Sequence, residues 1–207
     1  MTSPGGSARR GRGRPPGPPV DPEVRRERLL DAAEAAIRES GAAVGLAEVA
    51  ATAGLTRSAV YAAFADRDAV IDALAHRHAR AIIARLGEIL ADVDDPMEQT
   101  RASLDILASW FDDEPVLARL LAGRLDGPVR AGGGVIVSAI ADILRAGFRA
   151  RGGDEAAAEP WAHALVGAVA STIAWWSETR TMSRGQVVEY LFVLVWGGFS
   201  GAERGGD

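Results

Sequence analysis

Thr56, Arg57 and Ser58 stand together just after Gly54-Leu55, at the head of a short segment that runs to Phe64. Their chemistry suits nucleic acid. A threonine capping a helix sits beside free N–H groups and a positive dipole end that can meet a phosphate. Arg57 and Ser58 fall in the first turn, the part of a recognition helix that reaches base edges, and arginine is the usual bidentate partner of guanine. These residues need two short helices crossing steeply, and the spacing of Ala50, Gly54 and Val60 supplies that frame. Ala50 is small enough for a close crossing, and Gly54 can take the left-handed turn. Val60 returns an apolar side chain to the core, with Val49 and Leu55 filling the other inward positions. An ordinary helical hairpin carrying a surface arginine is the plain alternative.

A second basic feature precedes any ordered segment. Residues 1–20 are mainly Gly, Pro, Ser and Arg, a composition that cannot bury a core, so a disordered basic arm is expected there. Within it, Arg12-Gly13-Arg14-Pro15 resembles the centre of an AT-hook, whose extended ribbon fits a narrow A·T minor groove. The charge distribution agrees. Residues 1–67 hold ten arginines against eight acids, whereas 68–207 hold thirteen against twenty. A basic front on an acidic body points to DNA at one end of the molecule only.

Other chemistries find little support. The 207 residues include no cysteine and no lysine, which excludes disulfides, thiolate zinc sites, Schiff bases and a P-loop lysine. No metal and no cofactor are expected. His76 and His78 are two apart and face different sides of a helix, so they cannot share one metal. Gly132-Gly133-Gly134 follows no strand and precedes no Gly-Lys, and is read as a loose start to the next helix. Asp94-Asp95 and Asp112-Asp113-Glu114 sit beside prolines and have no histidine or serine partner at telling spacing. An enzyme is therefore not expected.

Helical periodicity runs through the chain, and no strand alternation bounded by turn pairs interrupts it. Asp21-Pro22 opens a first helix that Gly41 stops; Leu46–Ala53 and Thr56–Phe64 follow, then a long helix from about Asp68 to about Ala91. Pro96, Pro115, Pro128 and Pro160 punctuate further helices. The expected fold is all-α. A helix-turn-helix unit over 21–67 follows the arm, and a larger helical body occupies 68–207.

The stretch from Gly45 to Val70, with Val49-Ala50, Ala53-Gly54, Thr56, Tyr61 and Phe64, resembles the TetR family of bacterial transcriptional regulators, as does the first-helix ending Glu39-Ser40-Gly41. The resemblance is specific over residues 22–74. It implies that Thr56 and Tyr61 hold the DNA backbone, that Arg57 and Ser58 read bases, and that Arg67, where the family usually has lysine, touches phosphate. The chain departs from the pattern at Gly45, which removes a side-chain cap from the second helix, at Ala59, and at Ala62-Ala63, where only apolar base contacts are available.

The resemblance also implies a homodimer built on the last two helices, roughly 160–178 and 183–199. There Leu165, Val169, Ile173 and Trp176 share one face, while Gly167 and Ser171 lie on another. The run Leu191–Trp196 is apolar on every side and must be covered on all of them, by a partner or as a simple central helix. A small apolar effector is expected in the body, with Trp110, Phe111, Phe148, Trp161, His163, Trp175 and Trp176 as candidate contacts. The working expectation is a cytoplasmic repressor that binds a near-palindromic double-stranded operator and is released by effector. An architectural DNA-binding protein without effector stands as the alternative, and a helical enzyme as a lesser one. No membrane segment is expected, because Ala162–Trp176 falls short of the ~20 residues a span requires.

Overall fold

A computed structural model describes residues 21–124 and 134–202. Among these, helices follow one another in the order α1 (Pro22–Ser40), α2 (Leu46–Ala53), α3 (Arg57–Ala63), α4 (Arg67–Asp92), α5 (Pro96–Asp113), α6 (Pro115–Ala122), α7 (Val135–Ala150), α8 (Ala158–Thr179) and α9 (Arg184–Ala202), with no strand. The all-α expectation holds. The arm with Arg12 and Arg14 lies outside the described residues.

Local chemistry sets the helix ends. Asp21 Oδ1 accepts from the Glu23 N–H at 2.8 Å, and Pro22 occupies the first turn, where its missing N–H costs nothing. Gly54 closes α2 in the left-handed region at φ +65°, and the Leu55 N–H reaches back to the Ala50 carbonyl at 3.0 Å. Arg180 ends α8 at φ +47° without glycine's freedom. Its side chain compensates: it pairs with Asp112, donates to the Phe111 carbonyl at 3.1 Å and lies 4.4 Å over the Trp176 ring.

Two main apolar clusters organise the molecule. The first joins α1, α2 and α3 through Leu29, Ala33, Ile37, Val49, Ala50 and Val60. It continues past the expected division at 67/68 into Val70, Ile71 and Leu74 of α4, and is closed by Leu117 and Leu121 of α6. The second joins α5, α8 and α9 through Leu104, Phe111, Ile173, Trp176, Leu191 and Phe192, and takes in Ala118 from a neighbouring face of α6. Helix α6 therefore belongs to both cores. Ion pairs hold its two ends: Arg38 of α1 bonds Glu114 before it, and Arg124 after it bonds Asp68 and Asp72 of α4. A small third cluster, Val137, Ala141 and Ala162, fastens α7 to α8.

Between α1 and α4 lies a nearly buried carboxylate. Glu34 bonds Arg77 and, at 3.0 Å, the Nε2 of His78. Burial pushes this carboxyl up, but the hydrogen bonds from His78 and Arg77 outweigh it and hold it at about 2. The His78 ring stacks on Trp110 of α5 at 5.4 Å, and Trp110 packs against both main clusters. Its buried indole N–H has no hydrogen-bond partner among the described residues.

Candidate nucleic-acid interface

Helix α3 has seven residues and a single buried one, Val60. Ala59 and Ala63 are half-buried, while Arg57, Ser58, Tyr61 and Ala62 are exposed, Tyr61 at 59%. So short a helix is not stable alone in water, and its ends are secured by side chains. Thr56 Oγ1 accepts from the Ala59 N–H at 3.3 Å and lies 2.9 Å from Ser58 Oγ, so the two hydroxyls are engaged with each other. Arg57 and Tyr61 have no hydrogen-bond or ion-pair partner among the described residues, which leaves the guanidinium and the phenol available to a ligand.

The exposed side of α3 borders a groove of about 360 Å³ lined by Gly45, Leu46, Glu48, Arg57, Tyr61 and Arg67, among others. The structure brings Arg57, Tyr61 and Arg67 to this one surface. It also gives Arg67, the expected phosphate contact, partners within the protein. The Nε of Arg67 donates to the Val44 carbonyl at 2.9 Å, Nη2 bonds the Ala42 carbonyl, and Nη1 lies 4.0 Å from Asp68. That guanidinium is committed to the loop before α2. The missing cap at Gly45 is partly made good by Glu48, whose carboxylate accepts from the Gly45 N–H at 3.1 Å. A glutamate three residues after an N-cap is the signal that would have revealed it.

Sequence reasoning missed Arg26. From α1 it donates to the Ala63 carbonyl at 2.9 Å and stacks 4.3 Å over the Phe64 ring. Nothing local marks a contact that spans 37 positions. It also missed the Glu27, Asp31 and Glu34 stripe on α1, spaced to meet Arg77.

The proposed effector contacts are not gathered in one place. Phe111 and Trp176 are buried in the second main cluster, and Trp110 bridges the two main cores. Phe148 and Trp161 meet edge to face at 6.1 Å between α7 and α8. His163 is half exposed near Glu159, and Trp175 is 47% exposed on the outer side of α8, away from the interior expected for it. On α9, Val187, Val188, Leu191 and Phe192 are buried, whereas Tyr190, Val193 and Leu194 are exposed. Among the described residues no helix is long and apolar enough to cross a membrane, and no three His, Asp or Glu side chains form a metal-binding group.

Comparison with known proteins gives the same frame. The family described as bacterial regulatory proteins, tetR family, matches residues 29–74. The tetracyclin repressor-like C-terminal domain matches residues 122–206. An uncharacterized HTH-type transcriptional regulator of Mycobacterium tuberculosis is 27% identical over 191 residues, covering 88% of this chain and 81% of the relative. A second from that organism is 33% identical over 97 residues, covering 46% of this chain and 48% of the relative. Among solved structures, the Thermus thermophilus repressor FadR in complex with lauroyl-CoA has a TM-score of 0.67 at 22% identity, covering 83% of this chain and 93% of that one. The fatty acid degradation regulator FadR of Bacillus halodurans has a TM-score of 0.63 at 14% identity, covering 84% and 95%. These two likenesses concern the fold. With residues 29–74 and 122–206 both matched within one family, the chain belongs to the TetR family and is a helix-turn-helix transcriptional regulator.

Proposed function

We propose that the protein is a ligand-responsive repressor that reads a near-palindromic operator as a homodimer and is released by a small, largely apolar effector. The observation that carries the reading is the division of α9: its inner residues are buried in the body, while Tyr190, Val193 and Leu194 form an uncovered apolar face, and Trp175 of α8 is exposed as well. The small residues Gly167 and Ser171, exposed on α8, would let a second copy approach closely. Two-fold pairing there would present two α3 helices to successive major grooves about 34 Å apart. Arg57 and Ser58 would read bases, and Thr56 and Tyr61 would hold the backbone.

Effector release needs a route from body to head, and α6 supports one because it is packed into both cores. A ligand that favours one setting of α6 would change the spacing of the paired α3 helices. The solved complex of a family repressor with lauroyl-CoA makes long-chain acyl thioesters the first effectors to try. Phe148 and Trp161, edge to face between α7 and α8, are the aromatic contacts to substitute first.

The test is selection of bound fragments from genomic DNA, followed by titration of the recovered duplex with lauroyl-CoA and shorter acyl thioesters. The proposal expects one recurrent near-palindrome and a 5–150-fold loss of affinity with effector, the range of couplings of about 1–3 kcal/mol. Recurrent binding that no tested acyl thioester alters would favour the architectural reading.

A further inference from the structure

We infer that Arg26 and Arg67 are positioning residues that set the angle of the recognition helix from its two flanks, and that neither is a phosphate contact. The inference rests on the DNA-reading role proposed for α3. The core holds α3 along one side only, through Val60, Ala63 and the flanking Leu55 and Phe64, so its tilt is open to contacts made from neighbouring helices. The Thr56 cap is a bond within the helix and cannot aim it relative to α1 or α4.

The two arginines supply what packing leaves open. Ala63 is the last residue of α3, and its carbonyl has no partner further along the helix. Arg26 donates to that carbonyl at 2.9 Å and lies 4.3 Å over the ring of the buried Phe64 next to it. A cation there also suits the negative end of the helix dipole. At the other flank, Arg67 holds the Val44 and Ala42 carbonyls of the loop that leads into Gly45, the cap position of α2. The α2–α3 pair is thus fastened at its entry by α4 and at its exit by α1. Arg57, in contrast, is exposed with no partner among the described residues.

A positioning role and a phosphate contact differ in salt dependence. Neutralising a phosphate releases counterions, so its loss lowers the slope of log affinity against log salt by about 0.9. Losing an aiming contact leaves that slope unchanged and reduces discrimination between sequences. The experiment measures affinity across salt for the full chain and its Ala, Gln and Lys variants at Arg26 and at Arg67. Its probes are the duplex recovered from genomic selection and a scrambled duplex of equal length. The Ala variants are expected to bind the selected duplex about tenfold more weakly, the effect of one lost hydrogen bond to a charged group. Their slope and their affinity for the scrambled duplex should be unchanged. Arg26→Gln and Arg67→Gln, which keep an N–H donor without charge, are expected to recover most of the loss. Where an Ala variant loses its helical signal, the Gln and Lys pair decides alone. A reduced slope with equal loss on both duplexes, restored by Lys and not by Gln, overturns the inference. So does unchanged affinity in every variant. A wild-type chain that fails to distinguish the two duplexes overturns the reading of α3 itself, a separate and visible failure.

Discussion

Helices α3 and α9 each keep one side in the core and leave the other uncovered, but they do so with opposite chemistry. On α3 the uncovered residues are Arg57, Ser58 and Tyr61, while Val60, Ala63 and the adjoining Phe64 hold the other side to the core. On α9 they are Tyr190, Val193 and Leu194, backed by Val187, Val188, Leu191 and Phe192 in the core. A polar face on a short helix tolerates water and waits for a polar ligand. An apolar face on a long helix does not, because leaving it wet forgoes roughly 25 cal/mol for each Å² that a partner would cover. Under the proposed function the difference separates the two partners: α3 would face DNA, and α9 another copy of the chain.

The largest effect is expected from breaking the apolar side. Leu194→Glu places a charge on a residue that is 60% exposed in the single chain, so folding should survive. The paired state should not. Operator affinity is then expected to fall by at least about 100-fold as the two half-sites are bound separately, measured by anisotropy alongside light scattering.

Next comes the junction between α1 and α4. The Glu34 carboxyl is held at about 2, below its ordinary 4.5. A depressed acid contributes stability that is complete above about 4.5 and is lost as pH falls towards 2. Glu34→Gln should therefore lower stability by roughly 2–3 kcal/mol at neutral pH. It should also flatten the decline in melting temperature across that acid window. An acid limb identical to wild type would show that Glu34 is not the group responsible.

On the polar side, Arg57→Ala should cost roughly 1–3 kcal/mol of operator binding and relax base preference at one position of each half-site. Because Arg57 is exposed, its melting temperature should not change. The smallest effect is expected from deleting residues 1–19. Binding should weaken a few-fold and the salt slope should fall by about 0.9 for each phosphate neutralised by the lost arginines. Base preference set by Arg57 and Ser58 should survive, while A·T preference in the flanks fades. Unchanged salt dependence would reduce the arm to a solvated tail.

What was legible in the sequence follows the range of the interactions. Asp21, Gly41, Gly54 and Thr56 act on neighbours within about one turn, and each helix end they mark lies where the sequence puts it. Leu191–Trp196 reads as apolar on every side, but which of its residues meet the body and which stay exposed is set by packing against α5 and α8, not by the run itself. Arg26 on Ala63, Arg67 on Val44 and Arg38 on Glu114 join positions far apart, and no local pattern distinguishes them from solvated surface arginines. The aromatic residues mislead for a related reason. Helical spacing places Trp175 and Trp176 on adjacent faces, and which face meets the core is decided by α5 and α9.

Sedimentation velocity of the full chain, alone and with the selected operator duplex, tests the division between α3 and α9 most directly. The account predicts a particle of twice the 21.7 kDa chain mass at micromolar concentration, binding the operator at two chains or a multiple of two per duplex. A stable 21.7 kDa monomer that binds the duplex one chain at a time would contradict it.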